Sequence, residues 1–222
     1  AMEQAAADSE DRFGNVHVVC NNAGVALSGP LDTMRYKDWD WIMGVNVDGV
    51  INGVQAFLPR MKAHGEGGHF VNTASMAGHM SVPGLGVYNV SKFAIVGMSE
   101  VMRDELAPLN IGVSVLCPGV VRTNIFASGR NRPEALSETG DSTAQLFLNE
   151  PGNEEQMAAI LESALDPSVV GDMVLHAVQN GEFYIFSHPE FADSVASRAA
   201  DIAASFERWA EYRRTHNVNQ ES

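Results

Sequence analysis

Two cysteines in 222 residues rule out a disulfide scaffold. Cys20 and Cys117 each close an apolar run and read as buried small residues in a reducing, cytoplasmic setting. Basic residues are also scarce: 14 Lys and Arg against 28 Asp and Glu give a formal charge of −14 and a pI near 4.8. Nucleic acid and anionic membrane surfaces select for basic patches, so neither is expected as a partner. No apolar run approaches the ~20 residues that span a bilayer, and the first residues lack the basic-then-apolar order of a signal peptide. A soluble, cytoplasmic protein is the expectation. Metal-ligand spacing is missing as well. His17, His64, His69, His79, His176, His188 and His216 are scattered, with no His-Glu-x-x-His pattern, so no metal is expected and each reads as a surface or packing residue. The nucleophile elbow of serine hydrolases fails at its last position in Gly97-Met98-Ser99-Glu100-Val101.

What is present is an alternation of helical and strand patterns. At 45% hydrophobic the chain can bury one sizeable core, and residues 1–222 read as a single domain without repeats. Met2 to Phe13 is a helix stopped by Gly14, and Val16 to Cys20 an apolar strand broken by Asn21-Asn22-Ala23-Gly24. After a loop over Ser28 to Tyr36, one long helix is expected from Lys37 to His64. Its Gly44, Gly49 and Gly53 each cost about 1 kcal/mol against Ala, which close packing must offset. Later elements are a helix from Val87 to Leu106, ended by Ala107-Pro108, and a strand from Gly112 to Cys117. Asn124 to Pro151 has the composition of a mobile loop, and 124–180 the position of a substrate lid. Helices over Glu154 to Ala164 and Val169 to Gln179, a strand over Phe183 to Phe186 and a polar helix over Asp193 to Arg214 complete the chain.

The stretch from His69 to Lys92 carries the chemistry. A buried strand, His69 to Ala74, passes through a loop marked by Gly78, Pro83, Gly84 and Gly86 into a helix. Tyr88 and Lys92, four apart, share one helix face with side-chain origins roughly 6 Å apart. Ser75 ends the strand. A phenol with a pKa near 10 is a poor base, but a nearby ammonium favours the phenolate. Such a phenol can exchange a proton with a carbinol or carbonyl oxygen that the serine hydroxyl orients. In isolation a Tyr-x-x-x-Lys pair arises often by chance, and a lone serine more often caps a turn.

With Asn21-Asn22-Ala23-Gly24 before it, Asn46 in Val-Asn-Val-Asp-Gly, and Pro118-Gly119-Val120-Val121-Arg122-Thr123 after it, this stretch resembles the short-chain dehydrogenase/reductase family from about residue 2 to 123. The resemblance implies a doubly wound, Rossmann-like α/β parallel sheet and NAD or NADP as cofactor. In residues it implies Tyr88 as acid/base, Lys92 lowering its pKa and holding the nicotinamide ribose, and Ser75 orienting the substrate oxygen. Asn46 would bend its helix and hold a water linking Lys92 to solvent. Asn22, Ala23 and Gly24 would lie beside the adenosine half. Pro118, Gly119, Val121 and Thr123 would lie under the nicotinamide and its carboxamide. The implied substrate is a secondary alcohol or ketone, and the implied assembly a homodimer or homotetramer through the two long helices. DWIMGVNVDGVINGVQAFLPRM and FYIFSHPE look most like a branch that oxidises benzylic alcohols of lignin-derived aryl ethers. Phe126, Leu146, Phe147 and Met157 suit an aromatic substrate, or ordinary packing.

One departure stands out. The family's opening strand and its Thr-Gly-x-x-x-Gly-x-Gly turn, which holds the pyrophosphate at a helix N-terminus, are not in this sequence. The choice between NAD and NADP is therefore unreadable. The chain as given is expected to lack the first strands, to leave Val16 to Cys20 as an exposed edge, to associate, and to bind dinucleotides no better than millimolar. The competing reading is a truncated, non-catalytic member that serves as an oligomerisation or interaction partner.

Overall fold

Four short apolar runs become strands that pair side by side in chain order. They are β1 (Val18–Asn21), β2 (Gly68–Thr73), β3 (Ile111–Cys117) and β4 (Tyr184–Phe186), all parallel in the order β1-β2-β3-β4. Val19 pairs with Phe70 and Phe70 with Val113, while Leu116 pairs with Ile185. Adjacent residues on a strand face opposite ways, so Phe70 and Val71 serve two different cores. The computed structural model describes residues 1–137 and 162–216. These fall into two units, Ala1–Ser187 and His188–Ser222.

Among the described residues of the first unit the α-helices are α1 (Met2–Phe13), α2 (Tyr36–Asn46), α3 (Asp48–His64), α4 (Gly86–Leu106) and α5 (Pro167–Asn180). Met61 of α3 and Met102 and Leu106 of α4 bury with Val19, Phe70 and Val113 on one face of the sheet. Val170 and Ala177 of α5 bury with Val71, Leu116 and Ile185 on the other. Helices thus cover both faces, which is why β2 and β3 read as nearly continuous apolar runs. The architecture is the expected doubly wound parallel α/β sheet, with β1 as an edge strand. In the second unit, a 3-10 turn (Pro189–Phe191) leads into α6 (Ala192–Thr215), close to the expected Asp193 to Arg214. Ile202, Phe206 and Trp209, spaced for one helix face, are exposed.

Several expectations need correction. The single helix from Lys37 to His64 is two, interrupted at Val47, whose φ of −105° departs from helical geometry. Asn46 lies at the break because its side chain is drawn out to the neighbouring loop, as described below. Close packing was expected at Gly44, Gly49 and Gly53. Only Gly53 has it: a Cβ there would fall 2.0 Å from Asn21 Oδ1, whereas Gly44 and Gly49 have nothing within 4 Å. Cys117 is buried, but Cys20 is exposed, and it lines the open cleft at the strand ends. Of the expected loop Asn124 to Pro151, residues 124–137 contain 3-10 turns at Asn124–Asn131 and Glu134–Leu136. The rest of that loop, with Leu146, Phe147 and Met157, and nearly all of the helix expected over Glu154 to Ala164 lie outside the described residues.

Buried polar groups brace the sheet. Asn21 Nδ2 donates to Asn72 Oδ1 at 2.9 Å, and Asn72 Nδ2 donates to Ser99 Oγ of α4 at 3.0 Å. His69 Nε2 and Ser114 Oγ lie 2.8 Å apart between β2 and β3, so His69 is a packing histidine as expected.

Candidate active site

Parallel strands leave a crevice at their carboxyl ends, and here it is a cleft of about 740 Å³. Ten of the eleven anticipated residues form its walls: Asn22, Ala23, Gly24, Ser75, Tyr88, Lys92, Pro118, Gly119, Val121 and Thr123. Asn46 stands behind the wall, its Oδ1 3.6 Å from where a Cβ on Gly24 would be.

Ser75 follows β2 and begins a 3-10 turn, its Oγ accepting the Ala77 N–H at 3.1 Å and donating to Pro118 O at 3.3 Å. The turn after β3 and the turn after β2 are therefore tied at the serine. Tyr88 and Lys92 lie one turn apart on α4. Tyr88 and Ser75 face the same cleft. Lys92 Nζ donates to Thr73 O at 3.0 Å and sits 5.5 Å from the centre of the Tyr88 ring.

The titration of the pair differs from expectation. Burial pushes the Tyr88 phenol above its usual value, and Ser75 offsets this only in part. No lowering by Lys92 prevails, because the same burial depresses the ammonium itself: Lys92 falls to about 8, opposed by the Cys117 sulfur nearby. Cys117 in turn rises to about 12 through burial, with Lys92 pulling it the other way.

Asn46 acts as a clasp. Its Oδ1 accepts the Val25 N–H at 2.8 Å, and its Nδ2 donates to Val25 O at 2.9 Å and to Ser91 Oγ at 3.0 Å. This fixes the Asn22-Ala23-Gly24 turn against α4. Asn22 Oδ1 also accepts the Thr73 hydroxyl at 3.1 Å. Thr123 accepts the Ile125 N–H at 3.4 Å and caps the 3-10 run beyond it, and Val121 bridges to Leu165.

Three positioning residues escaped the sequence reading. Asn89 donates to Ala77 O at 2.7 Å and Met80 O at 2.8 Å and accepts the Val82 N–H at 3.2 Å, stapling the Gly-rich loop to the start of α4. Ser128 takes the Ala26 N–H at 3.1 Å and donates to Ile125 O, tying the 3-10 run across the cleft. Arg132 lies buried over Trp41, with Nη2 2.7 Å from Asp38 Oδ1 and Nε donating to Leu136 O at 2.9 Å. An amide in the first helical turn was the one available signal, for Asn89. Ser128 and Arg132 reach partners about a hundred residues away, which no local pattern announces.

At the other end of the strands, His17, His64 and Glu66 bring potential ligand atoms within 4.8 Å of one another. His17 Nε2 lies 2.7 Å from Glu66 Oε2, and His64 Nδ1 accepts the Glu66 N–H at 3.1 Å. Read separately as surface residues, they form one hydrogen-bonded group.

The same arrangement of elements recurs in known proteins. A crystal structure of a short chain dehydrogenase/reductase from Burkholderia phymatum, in complex with NAD, superposes with a TM-score of 0.84 at 36% identity, covering 92% of this chain and 72% of that one. The CLA biosynthesis dehydrogenase/reductase of Lactiplantibacillus plantarum is 30% identical over 91% of this chain and 71% of its own length. The C alpha-dehydrogenase of Sphingobium sp. is 34% identical over 88% of this chain, which spans 62% of that relative. With residues 1–134 matching the family model for short chain dehydrogenases, on top of the serine, tyrosine and lysine gathered at one cleft, the chain belongs to the short-chain dehydrogenase/reductase family.

Proposed function

We propose that this chain carries the proton-transfer half of an NAD- or NADP-dependent oxidoreductase that interconverts a secondary alcohol and its ketone. The observation that carries the reading is that Ser75, Tyr88 and Lys92 line one cleft of about 740 Å³, with Lys92 one helical turn from Tyr88 and its Nζ 5.5 Å from the centre of the Tyr88 ring. Pockets of this size suit a ligand of drug-like dimensions. The Burkholderia phymatum neighbour solved with NAD and the relatives named as dehydrogenases support the same chemistry.

The residues present fit the nicotinamide half of the cofactor. Lys92 spends one hydrogen on Thr73 O and, as an ammonium, has two more for ribose hydroxyls. A bound nicotinamide supplies or takes up the hydride. The side chains handle the proton and the orientation. Ser75 hydrogen-bonds the substrate oxygen, and Tyr88 gives that oxygen its proton in reduction and takes it back in oxidation. A phenol is protonated at neutral pH, and burial pushes Tyr88 further from ionising, which suits the reductive direction. Lys92 stabilises the tyrosinate left behind, and Asn46 holds the turn beside it and supports the path by which the proton is replaced. Val121, Ile125, Val170 and Val174 line the cleft and favour an apolar or aromatic alcohol.

Tyr88→Phe removes only the hydroxyl. In a form of the protein that turns over, it should lose about a thousandfold or more in kcat while nucleotide affinity stays within about twofold. Turnover within about threefold of the parent would sink the assignment of Tyr88.

A further inference from the structure

Arg130 is an exposed residue in the wall of the cleft, and among the described residues it is held through one nitrogen. Its Nη1 donates to Asn124 O at 2.8 Å and to Ala127 O at 2.7 Å. Those two carbonyls fix the guanidinium in place and leave Nε and Nη2, with three N–H groups, for other acceptors. Among the described residues no carboxylate pairs with it. Several other arginines of the same unit are paired, though Arg12 is not among them: Arg60 lies 2.9 Å from Glu10, Arg122 3.3 Å from Asp166 and Arg132 2.7 Å from Asp38.

The cleft's charge points the same way. The chain has twice as many acidic as basic residues, 28 against 14, yet among the described residues the charged side chains that line the cleft are Lys92 and Arg130, with no Asp or Glu. Lys92 is committed to the reaction centre. Arg130 is thus a positioned cation with spare donors, in a wall to which no described Asp or Glu contributes. A guanidinium offering Nε and Nη2 side by side matches the two oxygens of a carboxylate or phosphate.

We propose that Arg130 receives an anionic oxygen group, a carboxylate or a phosphate, of the molecule that occupies the cleft. The proposal rests on the oxidoreductase reading for what that molecule is: the anion belongs either to an acid-bearing alcohol substrate or to the cofactor's diphosphate. If Arg130 served only to cap the 3-10 run through Nη1, its loss would alter stability and leave affinity alone.

Calorimetry on the 222-residue chain separates these cases with paired probes, benzoate against methyl benzoate and ADP-ribose against adenosine. Arg130→Met should weaken binding of at least one charged probe by about tenfold or more, with its neutral counterpart within about twofold, and Arg130→Lys should restore part of the loss. A loss confined to benzoate assigns the anion to the substrate, and one confined to ADP-ribose assigns it to the cofactor. Charged-probe affinities within about twofold of the parent, or no binding of either charged probe at about 10 mM, overturn the proposal. These probes need no turnover. Failure of the Tyr88 assignment appears instead as activity surviving in Tyr88→Phe with the Arg130 dependence intact, so the two ideas fail separately.

Discussion

Lys92 Nζ lies 5.5 Å from the centre of the Tyr88 ring and is 4% exposed as a residue, which makes its charge expensive to hold in the folded chain. Its pKa falls from 10.5 to about 8 on folding, with burial the larger cause and Cys117 opposing it. Between these values the unfolded chain binds more protons than the folded one, so this group makes stability rise with pH. Cys117 works the other way. Its pKa rises from 9.0 to about 12, so from pH 9 upward the folded chain holds a proton that the unfolded chain has lost, and stability falls. The clean window is therefore pH 8 to 9, where Lys92 should add up to about 1 kcal/mol of stability. Urea unfolding across that window should show the rise in the parent and its absence in Lys92→Met; parallel curves would mean that Lys92 is not depressed in the folded chain. The pairing of Tyr88 with Lys92 was legible in the sequence because four residues make one helical turn. The direction of the tyrosine's shift was not, because it depends on what buries the pair.

At the scale of elements, the packing of α4 against the turn that carries Ser75 decides whether the site can form. A Cβ on Gly78 would meet Lys92 O and Val96 Cγ2, each at 2.8 Å, so the turn reaches the helix only because residue 78 has no side chain. Gly97, on the same helix, has nothing within 4 Å. Gly78→Ala should cost about 1 to 3 kcal/mol, because the nearest obstacle is backbone and cannot swing aside. Gly97→Ala should stabilise by up to about 1 kcal/mol through helix propensity alone. Chemical denaturation of both variants checks the pair, and equal effects would contradict the packing described for α4. Sequence reasoning placed α4 almost to the residue from its proline stop and its apolar period. Local pattern alone ran α2 and α3 together; the bend at Asn46 was expected only from the family resemblance, and it accompanies Asn46 reaching Val25, twenty-one residues earlier on another segment. Likewise the start of the expected lid is held down by Arg132 over Trp41 and against Asp38, a buried ion pair between distant segments. The Asp38 carboxyl is pushed up by burial, but bonds from Arg35 and Arg132 outweigh this and hold it below its usual range.

For the molecule as a whole, the sheet exposes β1 along one edge, with Val18 49% exposed and no proline or lysine to guard it. Helix α4 also carries Val90 and Val101, 44% and 56% exposed, on the face of Gly97. Apolar and small residues on one outward helix face suit close approach of a second copy, in line with the dimer that the family resemblance implies. Sedimentation should find the chain associated at micromolar concentration, and Gly97→Arg, which places a charged chain on that face, should shift it toward monomer. A monomeric parent, or an unchanged Gly97→Arg, would remove α4 from the interface. Among the described residues no helix is long and apolar enough to cross a membrane.

What the amino-acid sequence determined by itself is what depends on neighbours within a turn or a strand. The four parallel strands, the helix that sets Tyr88 above Lys92, and the Asn22 and Pro118 turns all follow from local period, propensity and the conformational freedom of glycine and proline. The tertiary structure decided what depends on residues far apart in the chain. It set the burial that raises Tyr88 and lowers Lys92, the exposure of Cys20 on an edge strand, and the meeting of His17, His64 and Glu66. It also placed the guanidinium of Arg130, held through Nη1, in a cleft that no described carboxylate lines. Burial and electric field are sums over everything that packs around a group, and most of what surrounds these side chains is contributed by other segments.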